Sequence, residues 1–299
     1  MVHRHVAGLD QPGAPTRRPT APPMKLPIAL SSVQNDGMNV MTRRPDCLIE
    51  TPLPGHESTP GGTLVWLMGR GLSIACGLSW SVPAQWERLE RAMRIERIKA
   101  SLLTEMDKPE IDTSAIHRLL VTLRDQTARD WRHRFVTTNW DTLLQREIDR
   151  LNFDSTPDWL PNTGVAHLNG VVEDVNEFRS PFLLETDSAE FRTPTAEANI
   201  AFNQIVWMRH FVLVGMSFEC RVDKGFLRAI TKVEDDLPIG ESEWVVVNPN
   251  DRDLAVSCQR IREALPNAHV QPVARDFHTW LLDGLPELQE WGVLCPRIG

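Results

Sequence analysis

Thr63-Leu64-Val65-Trp66-Leu67-Met68 (TLVWLM) is an unbroken apolar run, and it ends in Gly69-Arg70-Gly71-Leu72-Ser73. A strand with one wet face alternates apolar and polar residues. A run without alternation fits a strand covered on both faces, as in parallel sheets. Two further runs of this kind follow, FVLVG at residues 211–215 and WVVVN at residues 244–248. Shorter strands are expected at 135–138, 165–168 and 268–273. Between them lie helical stretches at 83–105, 113–129, 141–151, 195–208, 251–265 and 275–288. The first of these opens on Pro83, suited to a first helical turn, and its expected apolar stripe is Trp86, Leu89, Met93, Ile95 and Ile98. Strands alternating with helices define the α/β class: a doubly wound, mostly parallel, Rossmann-like sheet with helices on both faces.

Outward from this region the chain changes character. Ten of the 22 prolines lie in residues 1–60, where no apolar periodicity is sustained. Such a segment buries too little surface to offset its ordering entropy, so residues 1–60 are expected to form a disordered tail and 61–299 the folded domain. Met24, Met38 and Met41 offer alternative starts within that tail. Its five acidic residues nearly cancel its six basic ones, which argues against an anion-binding arm.

The 299 residues carry a net charge of -8, which opposes a chain that coats nucleic acid or anionic membrane. A local basic pocket for a small phosphorylated ligand remains compatible with it. No window reaches the ~20 apolar residues of a membrane span, and 26–30 is too short for a signal-peptide core. A cytoplasmic protein is expected. The five cysteines, Cys47, Cys76, Cys220, Cys258 and Cys295, form no CxxC pair. That excludes a cysteine-rich zinc module and fits reduced thiols.

In parallel sheets ligands bind beyond the carboxyl ends of the strands. Those ends here read Gly69-Arg70-Gly71-Leu72-Ser73, Thr137-Thr138-Asn139-Trp140-Asp141, Asn169-Gly170, Gly215-Met216-Ser217 and Asn248-Pro249-Asn250. Each alone is ordinary turn or cap chemistry. Five along one edge exceed what capping requires. The first loop departs from the dinucleotide fingerprint, because Ile74 stands where the third glycine belongs and no acidic residue ends a second strand about 20 positions on. Hydride-transfer chemistry is therefore not expected. The small residues of the loop would still let backbone N–H groups approach a pyrophosphate.

Taken in order, these residues resemble the sirtuin-like NAD-binding family over roughly residues 63–282. The surroundings Cys76-Gly77-Leu78-Ser79-Trp80 and Asp276-Phe277-His278-Thr279-Trp280-Leu281 look more like its prokaryotic, defence-associated branch than like protein deacylases. The resemblance implies NAD as substrate or bound ligand, with Gly69, Arg70, Gly71, Ser73, Thr138, Gly215, Ser217 and Asn248 as binding residues. It implies that Asn139 holds the nicotinamide ribose and that Asp141 receives the carboxamide. Two departures stand out. Arg70 replaces an alanine of the family's first loop, and would turn outward to a phosphate or fill the pocket. Asn169 stands where the family has its catalytic histidine, and an amide cannot take a proton. His167, two residues earlier on the same strand face, is a substitute base only for a more deeply seated ligand; otherwise it is a packed strand histidine.

Three functions follow. One is hydrolysis of NAD at the nicotinamide glycosidic bond, of the NAD-depleting anti-phage type, with a defence-system protein partner. A second is a catalytically impaired module that holds NAD or ADP-ribose and regulates a partner. The third is an interaction scaffold.

Overall fold

The computed structural model describes residues 62–153, 164–173, 182–184, 208–218, 223–224, 227 and 241–295. The chain divides into two units, 1–43 and 44–299. The first unit and the whole of the expected tail, 1–60, lie outside the described residues. So does the helix expected at 195–208, apart from Met208.

Six strands form one all-parallel sheet: β1 (Thr63–Met68), β2 (Arg132–Thr137), β3 (Val165–His167), β4 (His210–Val214), β5 (Glu243–Val247) and β6 (His269–Val273). Their spatial order is β3-β2-β1-β4-β5-β6. The chain winds outward from β1 in one direction and then, from β4, in the other, which places a switch point between β1 and β4. The sheet ends flush on the carboxyl side. His167, Thr137, Met68, Val214, Val247 and Val273 form its last paired row. Pro272, which donates no hydrogen bond, sits in edge strand β6, where its missing N–H does least harm.

Both faces are covered. Leu64, Trp66 and Met68 pack with Phe135 and Val212 on one face, beneath α2 (Arg91–Met106), α3 (Ser114–Gln126), α4 (Leu143–Leu151), α6 (Phe277–Leu282) and α7 (Pro286–Glu290). Val65 and Leu67 pack with Val136, Phe211 and Val246 on the other, beneath α5 (Asp251–Ala264). A short helix, α1 (Arg70–Ala75), follows β1 directly. The fully buried indoles keep their N–H groups bonded: Trp66 Nε1 to His133 Nδ1 at 3.2 Å, Trp244 Nε1 to Ser242 Oγ at 3.1 Å and Trp280 Nε1 to Glu287 Oε2 at 2.6 Å.

Three expectations need correction. The helix expected over 83–105 is broken: a 3-10 turn at Ala84–Arg88 gives way to extended backbone at Leu89 and Glu90 before α2 begins. The break resets the helical phase. The buried stripe of α2 is Arg94, Ile98, Leu102 and Met106, while Met93 is 51% exposed. The terminal helix is two helices, because Gly284 (φ 85°) and Leu285 (φ 58°) are left-handed and Pro286 starts a new first turn. The cysteines are not all reduced, since Cys295 is disulfide-bonded. Cys76 and Cys258 are free and buried. Burial, then the nearby charge of Asp141, pushes the Cys76 thiol up to about 12.

The switch point is held by backbone in contact with backbone. Gly69 N donates to Val214 O and Gly71 N donates to Gly215 O, each at 2.9 Å. A Cβ on Gly71 would lie 2.4 Å from Gly215 Cα, and one on Gly215 would lie 2.3 Å from Gly71 Cα. Gly215 also has φ +60°, a region that L side chains rarely enter. Gly215→Ala is therefore expected to cost about 3 kcal/mol, from overpacking and left-handed strain together. Gly292→Ala isolates the strain, because Gly292 has φ +67° and no atom lies within 4 Å of where its methyl group would sit. It should cost only about 1 kcal/mol. Urea unfolding of both variants reads the difference; equal losses would mean that the loop contact tolerates a methyl group.

Candidate functional site

A cavity of about 390 Å³ opens beyond the carboxyl ends of β1, β2, β3 and β4. That volume lies in the range of small-molecule sites. Eight of the residues expected from the sequence line it: Arg70, Ser73, Thr138, Asn139, Asp141, Asn169, Gly215 and Ser217. Gly69, Gly71, His167 and Asn248 are not among the lining residues. The amides of Gly69 and Gly71 are engaged by Val214 O and Gly215 O. Their glycine character follows from the loop contact, and neither N–H remains for a phosphate. Asn248 Oδ1 accepts from Asn250 N at 2.9 Å, a turn that leads into the Asn250 cap of α5.

Ser73, Asn139 and Asp141 form one hydrogen-bonded chain on the cavity wall. Ser73 Oγ donates to Asp141 Oδ2 at 2.6 Å. Asn139 Nδ2 donates to Ser73 Oγ at 2.8 Å and to Gly69 O at 2.9 Å. The other Asp141 oxygen accepts from Leu143 N at 3.2 Å, at the entry to α4. Asp141, one position before the Thr142 N-cap of α4, thus takes the helix's first N–H and closes the polar chain at once. Burial pushes its carboxyl above the ordinary range, opposed by the Ser73 and Leu143 donors and by the charge of Arg146. Arg146 itself is bound to Glu173 and, at 2.9 Å, to Asp107. The loop that carries Asn139 is pinned from beneath, since Thr137 Oγ1 donates to Met68 O at 2.8 Å and accepts from Asn139 N at 3.0 Å.

Asn169 is 8% exposed. Its Nδ2 donates to Thr138 O at 2.9 Å, and its own carbonyl accepts from Leu183 N at 2.9 Å. Its Oδ1 is buried with no hydrogen-bond partner. His167 is buried within β3, its Nδ1 3.4 Å from Asn139 O. Arg70 is exposed at the cavity mouth, where Nη2 donates to Trp80 O at 3.4 Å. Of the two placements open to Arg70 in the sequence, this is the outward one.

Sequence reasoning passed over Leu78, Trp80, Leu102, Trp140, Met216 and Asp223, which also line the cavity. Trp80 and Trp140 lie inside the quoted motifs but carried no weight there. Asp223 is 6% exposed and carries no motif signal at all. Among the described residues no group of three or more His, Cys, Asp and Glu is placed to hold a metal ion. None of the described helices is long and apolar enough to cross a membrane.

The chain is similar to a solved structure described as "Structural Basis for the Mechanism and Regulation of Sir2 Enzymes", with TM-score 0.42 and 14% sequence identity, over 77% of this chain and 93% of that one. No family model and no curated protein matches it.

The Asp141 shift has a stability consequence with a definite sign. At pH below the ordinary carboxyl value both folded and unfolded chains hold the proton. As pH rises the unfolded chain ionises first, and stability is lost until pH passes the raised folded value. Asp141→Asn abolishes this loss. Its stability relative to wild type, measured by urea unfolding, should therefore rise from pH 4 to pH 8. A difference that is flat or falls with pH would show that Asp141 is held as a stabilised carboxylate instead.

Proposed function

We propose that the cavity binds NAD or ADP-ribose, and that it does so without rapid turnover. The observation that carries this reading is the joined chain Ser73–Asn139–Asp141 on the cavity wall at the switch point. These residues come from α1 and from the loop after β2, more than sixty positions apart, and all three belong to the set that the sirtuin-like resemblance singled out. Open α/β sheets place nucleotide ligands at this location. On this reading the protein is a nucleotide-holding regulatory or scaffold module, and a partner protein reads its ligand state.

The second reading is an NAD hydrolase, with NAD depletion in anti-phage defence as its purpose. The retained Asn139 and Asp141 favour it. In that reaction the bond from ribose C1′ to the nicotinamide nitrogen breaks and its electron pair leaves with nicotinamide. Water adds at C1′ and gives up a proton. A positioned base contributes about 10²- to 10⁴-fold to such a step. No imidazole is among the described residues lining the cavity. Asn169 holds the family histidine's place, and an amide accepts hydrogen bonds without accepting the proton.

Calorimetry with NAD and with ADP-ribose tests the binding. Saturable binding of at least one below millimolar concentration is expected, with Ser217→Ala weakening it by about 1 kcal/mol. Absence of saturable binding at millimolar concentration would leave only the scaffold. Chromatography of NAD incubated with the protein tests the chemistry. Wild type should turn over slowly or not at all, and Asn169→His should raise the rate, further with Arg70→Ala. Brisk wild-type turnover that His167→Ala abolishes would make His167 the base.

A further inference from the structure

The loop after β4 is bracketed by two left-handed residues, Gly215 (φ +60°) and Phe218 (φ +53°). Glycine enters that region freely. A bulky aromatic residue there is a genuine outlier, held only where its surroundings over-determine it. Two contacts with α5 supply the hold. Ser257 Oγ donates to Met216 O at 3.0 Å, and Arg260 Nη1 donates to Ser217 O at 2.7 Å. Ser257 and Arg260 lie three positions apart on α5 and so share a face of that helix. The Phe218 ring is fully buried in the core that Leu254, Cys258 and Ile261 of the same helix help to form.

These contacts fix which way two successive peptide groups face. Both are trans, so each N–H points opposite to the C=O of the same peptide group. With Met216 O turned to α5, the Ser217 N–H faces away from α5. Gly215, Met216 and Ser217 line the cavity, and α5 contributes none of its described lining, so the side away from α5 is the cavity side. Among the described residues neither the Ser217 N–H nor the Ser217 hydroxyl has a hydrogen-bond partner. Ser217 therefore offers two donors from one residue. The peptide group that follows it is the vulnerable one. Turning it over would carry φ of Phe218 from +53° to about −130°, inside the extended region that aromatic residues favour. The bond from Arg260 to Ser217 O opposes that turn, and a charged donor makes it a strong one.

We propose that Arg260 and Ser257 are positioning residues: from α5, outside the cavity, they hold the loop after β4 so that Ser217 presents its N–H and hydroxyl together to an anionic group of the ligand. This deepens the nucleotide reading and rests on it, since the diphosphate is the anionic part of both NAD and ADP-ribose. It adds two residues that line no part of the cavity and that no motif in the sequence singled out. The Gly69 and Gly71 amides are closed off within the switch-point seam, so Ser217 supplies donors that those two glycines do not.

The test compares three probes by calorimetry or ligand-observed NMR on the full chain. They are ADP-ribose, adenosine, which lacks the phosphates, and inorganic pyrophosphate, which lacks the nucleoside. In Arg260→Met the preference for ADP-ribose over adenosine should fall about fivefold, and in Ser257→Ala about twofold, with adenosine affinity unchanged. Arg260→Lys keeps a charged donor and should bring the preference back to within about twofold of wild type. The preference is a ratio read within one protein preparation, so a partly unfolded variant does not distort it. Arg260→Gln takes the place of Arg260→Met if circular dichroism shows the latter unfolded. A crystal structure of the variant gives a readout without ligand: φ of Phe218 should become negative. A Phe218 that stays left-handed would overturn the proposal. So would ADP-ribose and adenosine weakening by the same factor. If ADP-ribose binds wild type and Arg260→Met alike, the positioning role fails and the nucleotide reading stands. If wild type binds pyrophosphate but not ADP-ribose, and Arg260→Met weakens that binding, the nucleotide reading fails and the positioning role stands. No binding of any probe at ten millimolar overturns both.

Discussion

The site depends on one steric constraint, the contact of Gly71 with Gly215. The loops after β1 and β4 leave adjacent strands and approach until no side chain fits between them. Two hydrogen bonds, from Gly69 N to Val214 O and from Gly71 N to Gly215 O, close the seam. Once closed, the seam fixes where α1 begins, and α1 carries Ser73 to the cavity wall. It also turns Gly215, Met216 and Ser217 towards the same space. Glycine in a loop after a strand invites the reading that a ligand's phosphates need room. Here the room is taken by the neighbouring loop, and the close approach is internal to the protein.

From that seam the polar chain grows by necessity. Gly69 O, which accepts from Leu72 N at 3.0 Å, also accepts from Asn139 Nδ2. Asn139 uses its second hydrogen on Ser73 Oγ, and Ser73 must then donate elsewhere; Asp141 is the acceptor within reach. A buried carboxyl with two donors and no facing cation in contact is a costly element, which burial alone would expel or neutralise. Arg146 supplies a stabilising charge, and that charge is shared with Glu173 and Asp107. The arrangement therefore holds Asp141 in tension between its donors and its desolvation. A ligand that brings positive charge or a donor relieves that tension.

The sequence made the sheet legible because buried parallel strands announce themselves. TLVWLM, FVLVG and WVVVN lack the alternation that any half-exposed strand would show, and they form β1, β4 and β5. The phase of α2 is not legible. Its periodicity looks continuous from Pro83 onward, and only tertiary packing extends the backbone at Leu89 and Glu90 and so selects Arg94, Ile98, Leu102 and Met106 as the inner stripe. Arg94 in that stripe runs against any apolar pattern. The break at Gly284-Leu285-Pro286 does carry a local signal, glycine then proline, which the longer helical periodicity masks. Within the cavity, the polar and glycine residues of the motifs stand out in the sequence; Trp80 and Trp140, inside the motifs, and Asp223, outside them, do not. An acid outside every motif looks like any solvated acid until a fold places it.

The same sheet explains why His167, the last residue of β3, and Asn169, two positions on, differ so much in chemical reach. His167 pairs with Thr137, and Thr137 pairs with Met68, so all three belong to the sheet's last row. Every lining residue that follows directly from a strand lies past that row: Arg70, Thr138, Asn139, Asn169 and Gly215. A side chain at 167 is therefore within the sheet's own layer, facing Asn139 O, whereas one at 169 stands beyond the last hydrogen bonds. Leu168 N still donates to Thr137 O, and Gly170 with φ 75° turns the chain away immediately afterwards. That leaves Asn169, just past the end of β3, as the residue that this strand delivers to the cavity. The chemical character of the wall at this point is decided by the residue at 169, an amide that donates and accepts hydrogen bonds but takes no proton.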